Sequence, residues 1–318
     1  MTVTISKLAA IAWCVLLCII LSAQGCRQPK KSKVLLDTPI SGKINISVDE
    51  SFKPVIDEEV KVFESAYPNT TINVQYKPEA ECLKDILNDS ATRLVIVTRG
   101  LSSKEEQYFA DTLGYVPQYD RIATDAVAVV VNANNTDTFF SVKRLQEQLA
   151  GKLGKRQRVI FDGLSATSTV RFAIDSILKG KVFDTGVVKA VRSSQEVLNY
   201  VASDVNAIGL VGISWIGNPE DTAQLNLLKK VKIAYVRCDQ CEDSPYVKPN
   251  QMGILTKRYP LIRGLYYVLK ENHNGLGMGF VNFMRFERGQ LIFKRAYLGS
   301  SKIGFGIRSV KINEKLVK

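Results

Sequence analysis

Ile44, Ile46 and Val48 alternate with polar residues, a period of two that predicts a half-buried strand. Asp49, Glu50 and Ser51 break the alternation, and Val55, Ile56, Val60, Phe63 and Tyr67 then recur at helical spacing. Ile72, Val74 and Tyr76 predict a second strand. Leu94–Val97 and Ala126–Val131 are continuous apolar runs, the pattern of strands buried on both faces of a parallel sheet. Further strands are predicted at Val159–Phe161, Ile208–Val211 and Ile233–Val236. Helices are predicted to open at Ser102 and to cover Val142–Leu149, Thr169–Leu178 and Val197–Val201. Leu261–Leu269 and Phe280–Phe286 read as two late helices, and Lys302–Lys318 as a loose basic tail. Short strands alternating with helices predict an α/β fold whose sheets are covered on both faces.

The chain before this pattern reads as an address. Lys7 is the single charge ahead of a mostly apolar run, Leu8–Ala23, which is followed by Gln24, Gly25 and Cys26. A membrane-spanning helix needs about 20 apolar residues, whereas a short basic lead, an apolar core and small residues at the cut describe a secretory signal. A cysteine directly after Gly25 resembles the lipobox of bacterial lipoproteins, with Ala23 in place of the more usual leucine. Residues 1–26 are therefore expected to be a signal ending at an acylated Cys26, the alternative being an uncleaved anchor helix. Either way the remainder is exported and tethered, through a linker over residues 27–42.

A composition of 46% hydrophobic and 23% charged residues carries no disorder signature. The net charge of +12 suits anionic ligands or an anionic membrane surface, yet equally a generally basic secreted protein. No basic stripe interleaves with aromatics, which argues against nucleic acid. A single histidine, His273, argues against a zinc site or a histidine-based triad, and no cofactor is expected. Cys238 and Cys241 form a C-x-x-C in a polar loop after a strand, where a local disulfide is expected in an oxidising compartment.

Three segments share one design, a strand end followed by small hydroxyl residues and a helix start, where unpaired N–H groups receive oxyanions. At Asp49-Glu50-Ser51-Phe52, Ser51 and the N–H of Phe52 are either anion donors or an ordinary cap. At Thr98-Arg99-Gly100-Leu101-Ser102, Arg99 offers a bidentate fork, or is a surface arginine. The third is the richest: Asp162 and Gly163 lead into Ser165, Thr167, Ser168 and Thr169, with Arg171 following. Several hydroxyls and an arginine suit a dehydrated phosphate; a surface loop is the alternative. Asp162 and Asp125 can accept a hydrogen bond from a protonated phosphate and repel a fully ionised anion, or Asp125 only braces a turn or hinge.

The order of these signals resembles the phosphate-binding proteins of ABC transporters, particularly the lipoprotein branch of Bacteroidetes-like bacteria, from Lys43 to Lys302. Ser51-Phe52 is similar to the end of the family's small-Ser-Thr-Phe segment, and Thr98–Ser102 to the next loop, where Arg99 stands in place of a frequent aspartate. The run Ile122–Asn132 resembles the segment crossing between lobes, and Ala207–Gly212 an Ala-Ile-Gly-Tyr-Val segment. Thr167-Ser168-Thr169 resembles a Ser-Gly-Thr loop with Thr and Ser substituted for Ser and Gly. Tyr259–Arg263 is similar to a late segment that starts a helix, and Gly289-Gln290 resembles a closing turn.

The resemblance implies a two-lobed periplasmic-binding-protein fold, type II-like, each lobe a mostly parallel sheet flanked by helices. Residues 43–122 and 246–318 would build lobe one and its basic tail, and residues 123–245 lobe two. Phosphate would sit on Ser51, Phe52, Thr98, Arg99, Asp125, Thr167, Ser168, Thr169 and Arg171. The implied partners are an ABC permease and ATPase, with the membrane reached through the N-terminal lipid, in the periplasm or cell envelope. Competing readings are a binder of molybdate, tungstate or sulfate, and a sensor or adhesin of the same fold. An enzyme is not expected: Ser51 or Ser168 as nucleophile needs a base in reach, and His273 lies in a polar Asn-His-Asn loop.

Overall fold

The computed structural model describes residues 37–154, 157–163 and 165–301; Cys26, the signal segment and the 302–318 tail lie outside the described residues. In chain order the strands are β1 (Gly42–Asp49), β2 (Thr70–Lys77), β3 (Thr92–Val97), β4 (Gln118–Asn132), β5 (Phe139–Phe140), β6 (Arg158–Phe161), β7 (Val188–Ala190), β8 (Ala207–Gly212), β9 (Val231–Ile233), β10 (Tyr235–Arg237), β11 (Tyr246–Val247), β12 (Ile262–Leu269) and β13 (Gly299–Ser300). The main sheet runs β2-β1-β3-β12-β4-β8-β6-β7, and β5, β10 and β11 make a small separate sheet.

β1, β2 and β3 are parallel, linked by crossover helices Lys53–Ala66 and Glu79–Asn88 that cover the sheet. β8, β6 and β7 repeat the arrangement at the other end, covered by helix Ser194–Ser203. The long β4 belongs to both. Up to Ala126 it pairs with β12, and from Val127 onward with β8. Ala126–Val131 is wholly buried, as its unbroken apolar run requires. The two lobes are thus two halves of one curled sheet. Among the described residues no helix is long and apolar enough to cross a membrane.

Several expectations are corrected. Leu261–Leu269 is not a helix: Ile262–Leu269 is strand β12, lying antiparallel between β3 and β4. A short apolar run fits either period, and pairing on both sides decided for the strand. Tyr259–Arg263 accordingly leads into a strand and starts no helix. Gly289-Gln290 is no turn, since both lie inside helix Glu287–Arg295. Ile233–Val236 is two strands broken at Ala234, because β9 pairs with β4 whereas β10 pairs with β5. Thr169–Leu178 is a short α-helix, Ser168–Phe172, continued by a wider π turn over Ala173–Ile177. Cys238 and Cys241 are joined, closing the loop between β10 and β11.

Candidate anion-binding site

β1 ends in a 3-10 turn, Glu50–Phe52, which carries Ser51 to the junction of the lobes. Asp49 caps this turn by accepting from the Ser51 amide at 3.1 Å, so Ser51 itself caps nothing. Its hydroxyl is free to face the opposite lobe. There β6 ends at Phe161, and the loop after it folds because Thr167 Oγ1 donates to Asp162 Oδ1 at 2.8 Å and accepts from the Val170 amide. Ser51 Oγ lies 3.3 Å from Ser168 Oγ, 3.4 Å from Thr169 Oγ1 and 3.5 Å from Asp162 Oδ2. Ser194, at the start of its helix, closes the ring with Oγ 3.5 Å from Asp162 Oδ2. Five buried hydroxyls from two lobes are therefore linked, three of them directly and Thr167 and Ser194 through Asp162.

The cation at their centre comes from β12. Arg263 stands opposite Asp125 of β4 in register, and its Nε donates to Asp125 Oδ2 at 2.7 Å. Nη1 donates to Ser168 Oγ at 2.8 Å and reaches Thr169 Oγ1 at 3.5 Å. The guanidinium lies 5.1 Å from the ring centre of buried Phe52, close enough for cation–π attraction. Nη2 is buried and has no hydrogen-bond partner. Buried polar atoms are almost always partnered, so a guanidinium nitrogen left open beside a ring of hydroxyls marks a place built for an acceptor.

Around this cluster other groups tie the lobes together. Arg171 reaches across to Glu79 at 2.7 Å, and both bond Thr98 Oγ1 at 2.5 Å. The positive charge of Arg171 and the hydroxyl of Thr98 are thereby spent on a brace at the rim of the cluster. Glu50 accepts from Ser194 Oγ at 2.7 Å and from the Ser194 amide, and Ser214 Oγ donates to the Ser51 carbonyl at 3.1 Å. Arg99 is placed elsewhere: its fork is filled by Glu105 at 2.7 and 2.8 Å, the residue that completes the capping box of helix Ser103–Leu113. A fork satisfied by its own loop presents no donor to the cluster.

Four carboxylates border the hydroxyls, and burial raises the pKa of each. Asp49 is pushed up to about 7 by desolvation, against the pull of Arg263 and with the repulsion of Glu79. Glu50 also rises to about 7, through burial chiefly and the neighbouring Asp162. Asp125 and Asp162 shift upward for the same reason, burial outweighing Arg263 and their hydrogen bonds. Glu79 goes the other way: burial raises it, but the bonds and charge of Arg171, with Thr98, carry it below the ordinary range. Such a site offers donors to a tetrahedral oxyanion and acceptors to any proton the anion carries. Among the described residues no group of His, Cys, Asp and Glu is arranged to hold a metal.

Of the residues singled out in the sequence, the structure gathers Ser51, Phe52, Asp125, Thr167, Ser168 and Thr169 around Arg263, sets Thr98 and Arg171 at the rim, and leaves Arg99 outside. Arg263, Glu50 and Ser194 were not singled out as site residues. A signal for Arg263 existed: it is a lone charge in Leu-Ile-Arg-Gly-Leu-Tyr-Tyr-Val-Leu, and a charge in a buried strand demands a partner. Reading that run as a helix concealed it.

The family model of the PBP superfamily domain matches residues 36–286. The phosphate-binding protein PstS of Pseudomonas aeruginosa is 23% identical over 301 residues, spanning 88% of this chain and 87% of that protein. Among solved structures, a candidate phosphate ABC transporter substrate-binding protein with bound phosphate from Clostridium perfringens superposes with a TM-score of 0.67. It shares 19% identity and covers 82% of this chain and 100% of that one. An ABC-type phosphate transport receptor from Vibrio cholerae gives 0.58 at 17% identity, over 81% and 100% of the two chains. The two-lobed fold expected from the sequence is the fold these share.

Proposed function

The chain belongs to the PBP superfamily, and we propose that it is a solute-binding protein that captures inorganic phosphate between its lobes for an ABC importer. The observation that carries this reading is Arg263, buried at the lobe junction with Nη1 on the Ser168 and Thr169 hydroxyls and Nη2 unpartnered. A guanidinium fork with neutral donors replaces the water of a tetrahedral oxyanion without a second full cation. The buried carboxylates favour an anion that still carries a proton, hence phosphate over sulfate or molybdate. Ser51, Phe52, Ser168, Thr169 and Arg263 would hold the ligand, with Thr167 fixing the loop through Asp162 and Asp125 orienting the arginine. Thr98 and Arg171 would act with Glu79 on closure, as residues 43–122 and 246–318 move against 123–245.

Export, acylation of Cys26 and residence in the periplasm or cell envelope complete the reading, with a permease and ATPase as partners. It rests for these parts on the N-terminal sequence and on the company the relatives keep. The test is calorimetry on protein lacking residues 1–26, freed of anion by unfolding and refolding, with phosphate, sulfate and molybdate titrated separately. Saturable binding of phosphate is expected, with sulfate and molybdate far weaker. Tight binding of another oxyanion would change the substrate, and no binding at all would sink the uptake reading.

A further inference from the structure

The cluster is unusual in its charge. Asp49, Asp125 and Asp162 are buried and Glu50 is partly buried beside them, yet Arg263 is the cation bonded to the cluster's hydroxyls. Arg171 is committed to Glu79, and Lys53 to Asp57 at 2.8 Å. If all four carboxylates were ionised, the site would be strongly negative before an anion arrived. Burying an uncompensated carboxylate costs so much that the group takes up a proton instead.

The bonding pattern picks out which carboxylates do so. Asp125 leaves Oδ1 without a partner, but Arg263 Nε bonds its Oδ2 at 2.7 Å and the amides of Ala126 and Ile213 also favour its ionised form, so the rise that burial causes there is opposed by a full cation in contact. Asp162 is supported by Thr167, Thr169, Ser51 and Ser194, and faces Arg263. Asp49 has less: the Ser51 amide on Oδ1 and the Ser168 hydroxyl, with Oδ2 orphaned, and Glu79 repelling it while Arg263 attracts. Glu50 has Ser194 alone, facing Asp162 on one side and Lys53 on the other.

Resting on the phosphate-binding reading, we propose that the protein takes up a proton of its own with the anion: closure over phosphate protonates Asp49 or Glu50. The proton comes from solvent, bonds to a carboxylate oxygen and returns to solvent on release. A cleft opened to water would let these groups ionise in the ordinary carboxylate range, whereas with the lobes in contact, as Glu79–Arg171, Glu50–Ser194 and Ser51–Ser214 hold them here, burial pushes both up to about 7. The closed form therefore binds the extra protons between those limits, and closure weakens as pH rises through that window. A bound anion adds negative charge and extends the window upward. Opening reverses the sequence: water enters, the protons leave, and the ionised carboxylates repel the anion from the site.

The experiment is phosphate calorimetry at about pH 6.5 in two buffers of different ionisation enthalpy, which counts protons exchanged on binding. Wild type, Glu50→Gln and Asp49→Asn are compared; the amides keep the volume and an accepting oxygen. Wild-type uptake should exceed the share that phosphate itself could hold, and should fall by up to roughly one proton in at least one variant. The affected variant should also keep more of its phosphate affinity than wild type as pH is raised. Uptake no greater than phosphate's own share, or a count identical in all three proteins, would overturn the proposal while leaving phosphate binding intact. Failure of wild type to bind phosphate would instead remove the reading on which it rests. The wild-type count stands alone if either variant fails to fold.

Discussion

Arg263 is held by three unlike contacts: an ion pair to Asp125, a hydrogen bond to Ser168 and the face of Phe52. Arg263→Ala should reduce phosphate affinity by at least about 1.5–3 kcal/mol, the worth of a hydrogen bond to a charged group. It should also lower the melting temperature, because removing one partner of a buried pair costs about 3–5 kcal/mol. Arg263→Lys restores charge without the fork, so calorimetry should place it between the two. Arg171→Ala should weaken binding less, since its charge is already met by Glu79; a loss as large as that of Arg263→Ala would make Arg171 a direct ligand. At this scale the hydroxyls were legible from sequence, because Thr167, Ser168 and Thr169 crowd one loop. Arg263 was not, because its role depends on standing opposite Asp125, 138 positions earlier in the chain, and only strand pairing brings them together.

Elements with a clear helical stripe are legible in the sequence, whereas continuous apolar runs are legible only in part: Leu94–Val97 and Ile208–Val211 are the strands expected, but Leu261–Leu269 is not the helix expected. Helix Val142–Leu149 occupies the predicted span, and helix Lys53–Ala66 follows its 3.6-residue apolar stripe. β12 shows the opposite case. Its apolar run fits a buried strand and a buried helix alike, and the choice was made by β3 and β4, which leave a gap that only a strand can bridge. β8 carries a local demand that the sequence does express. Gly209 lies where a Cβ would come within 2.7–2.9 Å of Val130, Val197 and Val201, which brings helix Ser194–Ser203 down onto the sheet. That helix begins with Ser194, so the glycine also sets the depth of one hydroxyl of the cluster. Gly209→Ala should therefore cost about 1–3 kcal/mol of stability through overpacking, read in denaturant melts. A neutral result would mean the helix can ride outward freely.

At the scale of the molecule, the lobes are locked by contacts from opposite halves of one sheet: Glu79 with Arg171, Glu50 with Ser194, and the Ser51 carbonyl with Ser214. Trp215 sits next to Ser214, and the only other tryptophan is Trp13 in the leading segment. In protein lacking residues 1–26, fluorescence should report this closure through Trp215 alone. Phosphate should change its emission saturably, with the same Kd as calorimetry, and a flat signal would place Trp215 away from the moving contacts. The shared strand β4 and the late strand β12 also bear on how the chain reaches its native state. β7, β6 and β8 are all in hand once residue 212 has emerged, so the far half can assemble early. The near half cannot, because β3 and β4 never pair with each other and must wait for β12 to enter between them. Until Ile262–Leu269 arrives, the facing edges of β3 and β4 stay unpaired, inviting intermolecular pairing. Truncating the chain before residue 262 should therefore yield a species that aggregates through these edges, read by light scattering, whereas a monodisperse truncated protein would mean that they are covered without β12.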